Sequence, residues 1–407
     1  MSVFAIMAVF ITVAALSSYI NYRFVRLPSA IGLMVVGLLI SLGLIALSAL
    51  GVDIETPVTR VLNRVDFGET LMKGMLSFLL FAGALKINLY DLVNQKFVVS
   101  TLATFGVVLT TLIVGTGMYF GLMLLDLSLP FIYCLIFGSL IAPTDPVAVL
   151  SILKSVKVSK SLETKIAGES LFNDGVGIVV FTMLVGVAVG GGSLSVGQVV
   201  LMFFQEAIGG VLLGLVLGGT AFYLLRHVND HSVEVLMTLA LVCGGYALAS
   251  GLHTSGPLTV VVAGLLIGNY GRNLAMSDTT REHLDKFWEL IDEVLNAVLF
   301  VWIGMEILVL SFATSHLLAG LIAIPLTLAA RFGSVWSVIT GLKLFRSFSD
   351  NAILILTWGG LRGGISIALA LSLAPGETRD LIVSITYVVV VFSILVQGLT
   401  IKKLLTS

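Results

Sequence analysis

The chain has 407 residues, 58% of them hydrophobic and only 11% charged, with a formal net charge of −1. Soluble domains carry about 25% charged residues, so this composition excludes a water-soluble globular protein and points to an integral membrane protein. Its two cysteines, Cys134 and Cys243, lie in apolar runs and read as small core residues, not as a disulfide framework or a metal pair.

At roughly 20 apolar residues per span, thirteen segments follow in chain order, at about 2–20, 28–50, 70–89, 98–125, 129–152, 164–190, 197–225, 233–251, 256–270, 287–310, 316–341, 351–374 and 381–401. The first has neither a basic leading region nor a small-residue cleavage site and reads as an uncleaved span. The longest polar connection, about 271–285, reads as a loop, and no stretch reads as a soluble regulatory domain, so 1–407 is taken as one membrane domain. Basic residues are retained on the cytoplasmic side of membranes. Placing the N-terminus outside puts Arg23, Arg26, Lys86, Lys96, Lys154, Lys157, Lys160, Lys165 and most of the other basic residues inside, so the sequence favours N-out and C-in.

An odd span count with this bias permits two inverted six-span repeats, about 1–190 and 233–407, joined by the segment at 197–225. Segments 5 and 12 are then equivalent, and both are interrupted. Segment 5 breaks at Pro143-Thr144-Asp145-Pro146, where prolines remove amide donors and disfavour helix at the preceding residue. Segment 12 breaks around Gly359-Gly360-Leu361-Arg362-Gly363-Gly364, where glycines loosen the backbone. Broken helices at corresponding positions of inverted halves point to the binding site of a transporter.

Segment 6 carries Glu169-Ser170-Leu171-Phe172-Asn173-Asp174-Gly175. On a helix Glu169, Asn173, Ser170 and Asp174 fall at about 0°, 40°, 100° and 140°, on one face. Acids within the hydrocarbon are costly and mark ion handling. With Asp145, Thr144 and the carbonyls of the break, they compose an all-oxygen site suited to a hard cation, with no His or Cys nearby for zinc or copper. Asp174 is the candidate exchanging group, since it can hold a proton or a cation but not both. Arg362 is an obligate cation that needs an anionic partner, for which Glu169 is chosen, leaving Asp145 and Asp174 to face the ion. Arg331, in segment 11, reads as a structural cation. Asp292 and Glu293, near the cytoplasmic end of segment 10, read as a solvated helix end in preference to the lining of an entry funnel, Glu206 and Glu306 receive no role, and the five histidines read as interfacial.

At Thr144-Asp145-Pro146, Glu169-Ser170 with Phe172-Asn173-Asp174-Gly175, and Gly360-Leu361-Arg362-Gly363, the chain resembles the monovalent cation/proton antiporters of the NhaP and NHE type. The resemblance extends in span count and order over nearly the whole chain. It implies an all-α polytopic fold of about 13 transmembrane helices with crossed broken helices in segments 5 and 12. It also implies a homodimer in the plasma membrane and a core that moves against a dimerisation domain. The implied ligands of a transported Na⁺ are Asp145, Asp174, Glu169, Ser170 and the main chain of Thr144. Asn173 would brace the break and Arg362 would pair with Glu169. Relatives with Asn-Asp, as in Asn173-Asp174, are generally electroneutral, which implies one cation per proton. Na⁺ with Li⁺ accepted is favoured over K⁺, with no cofactor and no nucleic-acid partner. Because the chain ends soon after Lys403, regulation through the long cytosolic tail of animal relatives is not expected.

Two other classes place acids in spans. An intramembrane aspartyl protease would use Asp145 and Asp174, but such enzymes resemble Gly-x-Gly-Asp, whereas this order is Asn-Asp-Gly-Val-Gly. A cation channel would call for a filter-like repeat, which the sequence lacks.

Overall fold

The computed structural model describes residues 3–50, 70–146, 149–150, 160–190, 196–271, 278–308, 313–343, 348 and 351–406, and among them every regular element is helical. Among the described residues, each of the thirteen expected segments contains helix, with segments 5 and 12 interrupted as expected. The first half contains α1 (Val3–Ile20), α2 (Ser29–Ala49), α3 (Leu76–Lys86, entered through a π-helical turn at Thr70–Met75), the short α4 (Leu89–Asn94), α5 (Lys96–Met123), α6 (Phe131–Ile141) and α7 (Lys160–Val189). After α8 (Val196–Leu225) come α9 (His231–Gly251), α10 (Gly256–Leu266), α11 (Asp278–Met305), α12 (Thr314–Leu342), the paired half-helices α13 (Ala352–Trp358) and α14 (Gly364–Leu371), and α15 (Glu377–Phe392). The last continues through a π-helical turn at Ser393–Gln397 to Thr406. Eight helices have the length and apolarity to cross a membrane among the described residues, and α3, α6 and the helix from Gly256 to Gly271 are shorter apolar ones. The chain is a multi-pass membrane protein.

Three sequence expectations change. The polar stretch expected as a loop up to residue 285 is helical from Asp278 onward. Leu284, Trp288 and Ile291 recur at helical spacing, and the first two are fully buried, so one face of this polar stretch has a core to cover. The short α4 was not expected; Asn88 accepts a bond from the Asp91 amide at its N-terminus and supplies the start signal. Cys134 is buried as expected, whereas Cys243 lies on the outward face of α9, where a small apolar thiol is equally acceptable.

Two sets of helices pack mainly among themselves. In one, α2 lies on α11 and α10 lies against α3 and α8. Glycines let these backbones approach: a Cβ at Gly37 would stand 2.8 Å from the Val301 carbonyl oxygen, and one at Gly214 would stand 2.6 Å from that of Thr259. Small residues at crossings suit a bilayer, where helix association relies on close packing. In the other set α5 packs on α6 and α12, and α12 on α15 and α13. Large apolar side chains such as Leu16, Leu201, Leu321 and Phe332 face outward, as lipid contact requires.

Candidate functional site

The helix α6 stops at Ile141, ahead of Pro143 and Pro146, and α13 stops at Trp358, ahead of the glycines. Each interrupted helix leaves carbonyls and amides without helical partners, and at membrane depth these must be satisfied within the protein. The two breaks meet and satisfy each other. The Asp145 amide donates to the Leu361 carbonyl at 2.7 Å. Arg362 Nη1 donates to the carbonyls of Ala142 and Pro143, the latter at 2.9 Å, so a cation caps the negative end of α6.

The glycines of the second break serve this approach. Gly363 has φ −123°, open to any residue, but a Cβ there would collide with the Asp145 side chain. A Cβ at Gly360 would stand 2.6 Å from Arg331 Nε and 3.3 Å from the Thr144 methyl. These positions are small because the other break lies against them.

The helix α7 presents its polar residues to this crossing. Asn173 sits at the middle of the polar face, where its Oδ1 accepts the Thr144 amide at 3.2 Å and its Nδ2 donates to Thr144 Oγ1 at 2.9 Å. Thr144 Oγ1 is in turn 3.0 Å from Ser170 Oγ. The edges of the face diverge. Asp174 turns to a cavity of about 1410 Å³, which Glu163, Ala167 and Leu171 of the same helix also line. On an ideal helix these four cluster near about 155° from Glu169. Glu169 therefore points away from the cavity, and it is only 1% exposed.

Glu169 is engaged by Arg331, not by Arg362. Arg331 Nη1 and Nη2 grip its two carboxylate oxygens, the second at 2.9 Å, and Arg331 Nε and Nη2 also donate to the Leu356 carbonyl at 3.2 and 3.0 Å. This corrects the pairing expected from the sequence. A planar guanidinium suits a bidentate carboxylate grip, and α12 brings Arg331 to that edge of α7, whereas Arg362 is committed to backbone carbonyls. Both arginines are buried.

The cavity runs from Arg23, Arg26, Lys86 and Asp285 at its mouth to Thr144, Asp145 and Asp174 at its end. Asp145 lies close enough for its charge to act on Asp174. Asp292 and Glu293 line the cavity with Glu289, the entry-funnel placement that the sequence favoured less than a solvated helix end. Asp292 accepts from Lys86 Nζ at 2.6 Å and from Asn296 at 2.8 Å. Of the expected site residues, the fold brings Asp145, Asp174 and Thr144 to the cavity, places Ser170 and Asn173 one hydrogen bond behind Thr144, and turns Glu169 into an ion pair.

Sequence reasoning missed Ser393 and Gln397, whose side chains reach the second break. Their signal was Gln397, the single amide side chain of the last span, one turn after Ser393.

The family described as "Sodium/hydrogen exchanger, transmembrane" matches residues 10–407. The chain is 50% identical over 404 residues to the Na(+)/H(+) antiporter NhaP of Pseudomonas aeruginosa, covering 98% of this chain and 95% of that protein. It is 35% identical over 410 residues to the Na(+)/H(+) antiporter NhaH of Halobacillus aidingensis, again covering 98% and 95%. In structure it resembles the sodium proton antiporter MjNhaP1 of Methanocaldococcus jannaschii at pH 8. The TM-score is 0.77 at 20% identity, covering 98% of this chain and 100% of that one, a likeness of fold.

Proposed function

This chain belongs to the sodium/hydrogen exchanger family, and from that premise we propose that it is a secondary antiporter exchanging Na⁺, or Li⁺, for H⁺ at Asp145 and Asp174. The observation that carries this reading is the pair of carboxylates, Asp145 and the buried Asp174, lining a cavity of about 1410 Å³ beside two crossing helix breaks. The named activities of the relatives, Na(+)/H(+) antiport in each case, support the choice of ions.

In this reading the cation enters from the cavity mouth, whose Arg23, Arg26 and Lys86 lie on the side assigned to the cytoplasm. It loses part of its water shell to the Asp145 and Asp174 carboxylates and to the main chain of Thr144 at the break. Oxygen ligands of this kind suit Na⁺ and Li⁺, and K⁺ is the less favoured cation. Asp174 releases its proton when the cation binds and takes one up when the cation leaves. Competition for one carboxylate suffices to couple the two fluxes in opposite directions once the site opens alternately to the two sides. Glu169 serves the site at one remove, by neutralising Arg331 behind the break. With asparagine at 173, one cation per proton is proposed, making exchange electroneutral. The halves at about 1–190 and 233–407 are proposed as inverted repeats, working as a homodimer in the cell membrane with the N-terminus outside.

The test is exchange in proteoliposomes. A pH gradient is imposed, Na⁺, Li⁺ or K⁺ is added in turn, and lumenal pH is followed. For Na⁺ and Li⁺ the voltage is clamped or left free with valinomycin and K⁺. Proton movement with Na⁺ and Li⁺ that is indifferent to voltage is expected. Voltage-dependent movement overturns the stoichiometry, movement with K⁺ alone overturns the ion, and none with any cation overturns the antiporter reading.

A further inference from the structure

The last span contributes a buried polar relay to the break in segment 12. The π-helical turn Ser393–Gln397 brings both its end residues to one side, where they are 1% and 3% exposed. Inserted turns of this kind recur at functional positions because they re-aim side chains. Gln397 Nε2 donates to the Trp358 carbonyl at 3.1 Å, Ser393 Oγ donates to Gln397 Oε1 at 2.6 Å, and the Arg362 amide donates to Ser393 Oγ at 2.9 Å. The polarity is fixed at both ends, since a carbonyl can only accept and a backbone amide can only donate. One turn further on, Thr400 Oγ1 accepts the Trp358 indole N–H at 2.9 Å, so the same stripe holds this residue twice.

The relay spans the interruption. Trp358 is the last residue of α13, and Arg362 lies beyond the glycines. The carbonyls at the end of α13 are otherwise accounted for: Ile355 accepts from Gly359 at 2.8 Å, Thr357 from Gly360 at 3.3 Å, and Leu356 from Arg331. The residues so spanned are those that touch the first break. Leu361 holds the Asp145 amide, and Arg362 holds the carbonyls of Ala142 and Pro143.

We propose that Ser393 and Gln397 are positioning residues for ion exchange: as one unit they set the spacing between Trp358 and Arg362, and through Leu361 and Arg362 they place Asp145 at the end of the cavity. Neither lines the cavity that Asp145 and Asp174 share. The proposal rests on the reading of Asp145 and Asp174 as the exchange site.

The experiment uses full-length protein in proteoliposomes with Na⁺ as the varied cation, beside thermal unfolding in detergent with and without Na⁺. Ser393→Ala and Gln397→Met are each expected to raise the apparent KM for Na⁺ about tenfold, the scale of one lost buried hydrogen bond, with a smaller change in kcat. They also reduce the rise in Tm that Na⁺ produces. The double variant is no worse than either single, because residues acting as a unit are not additive. Ser393→Thr keeps donor and acceptor and retains the wild-type KM, so it serves as the folded control if Ser393→Ala fails to fold. A lowered Tm with KM within twofold of wild type in the folded variants overturns the proposal, as does full additivity of the two substitutions. Absence of Na⁺-dependent proton movement by the wild type itself is a separate result, and it defeats the functional reading on which the proposal stands.

Discussion

The break after α6 and the break between α13 and α14 face each other, yet they are built differently. The first is made by prolines and leaves Asp145 and Pro146 partly exposed at the cavity end. The second is made by glycines and is buried from Gly359 to Gly364. One presents a carboxylate to the cavity, and the other is the mould against which it is shaped. Two buried arginines at the crossing, Arg362 of the second break and Arg331 of α12, divide the work: Arg331 neutralises a buried acid, whereas Arg362 caps the end of a helix. A charge held by a charge and a charge held by dipoles should fail differently when removed.

The largest effect should come from the cavity beside the first break, where Asp174 of α7 joins Asp145 in the lining. Asp174→Asn removes the only titrating atom pair proposed to exchange and is expected to abolish cation-dependent proton movement in proteoliposomes, while the protein elutes as the same folded species on gel filtration. Retained exchange would take Asp174 out of the mechanism.

Next comes the ion pair. Arg331→Ala strands the Glu169 carboxylate and should cost about 3–5 kcal/mol, the range for breaking a buried pair. Adding Glu169→Gln should return part of this in thermal unfolding, because the stranded charge is then gone. Arg362→Ala should cost less, about 1–3 kcal/mol, as it strands neutral carbonyls of α6. Glu169→Gln should give it no rescue. If Glu169→Gln rescues Arg362→Ala and not Arg331→Ala, the division of labour drawn here is reversed.

The mould itself can be tested with a single methyl. Gly360→Ala should destabilise by about 1–3 kcal/mol, since its Cβ would press on Arg331 Nε, which the grip on Glu169 holds in place. Unchanged stability would mean that the second break yields easily. The smallest effect belongs to the cavity mouth. Lys86 and Asp292 are 44% and 21% exposed in their side chains, so Asp292→Asn should shift stability by less than about 1 kcal/mol, an effect that fades with added salt.

Much of this arrangement was legible in the chain. The prolines at 143 and 146 and the glycines from 359 to 364 marked both interruptions, and the spacing of Glu169, Ser170, Asn173 and Asp174 put them on one face. The same spacing also held the clue to the misread pair. Glu169 and Asp174 lie about 140° apart, at opposite edges of that face, so the two acids cannot both look into one cavity. Arg362 lay in a break and Arg331 in an unbroken span, which made Arg362 look like the natural partner of an acid. Nothing in the sequence showed that the carbonyls of Ala142 and Pro143 would claim it.

By itself the sequence determined the membrane class, the helical spans and the places where two of them stop. These follow from local physics: a bilayer demands long apolar helices, and proline or clustered glycine interrupts them. Only the tertiary structure decided which cation meets which acceptor, which acids share the cavity, and that Ser393 and Gln397 of the last span hold the second break. Those outcomes join residues such as Glu169 and Arg331, 162 positions apart, and depend on how helices cross and rotate. Periodicity sets which residues share or oppose a helix face, but not which partner each face meets.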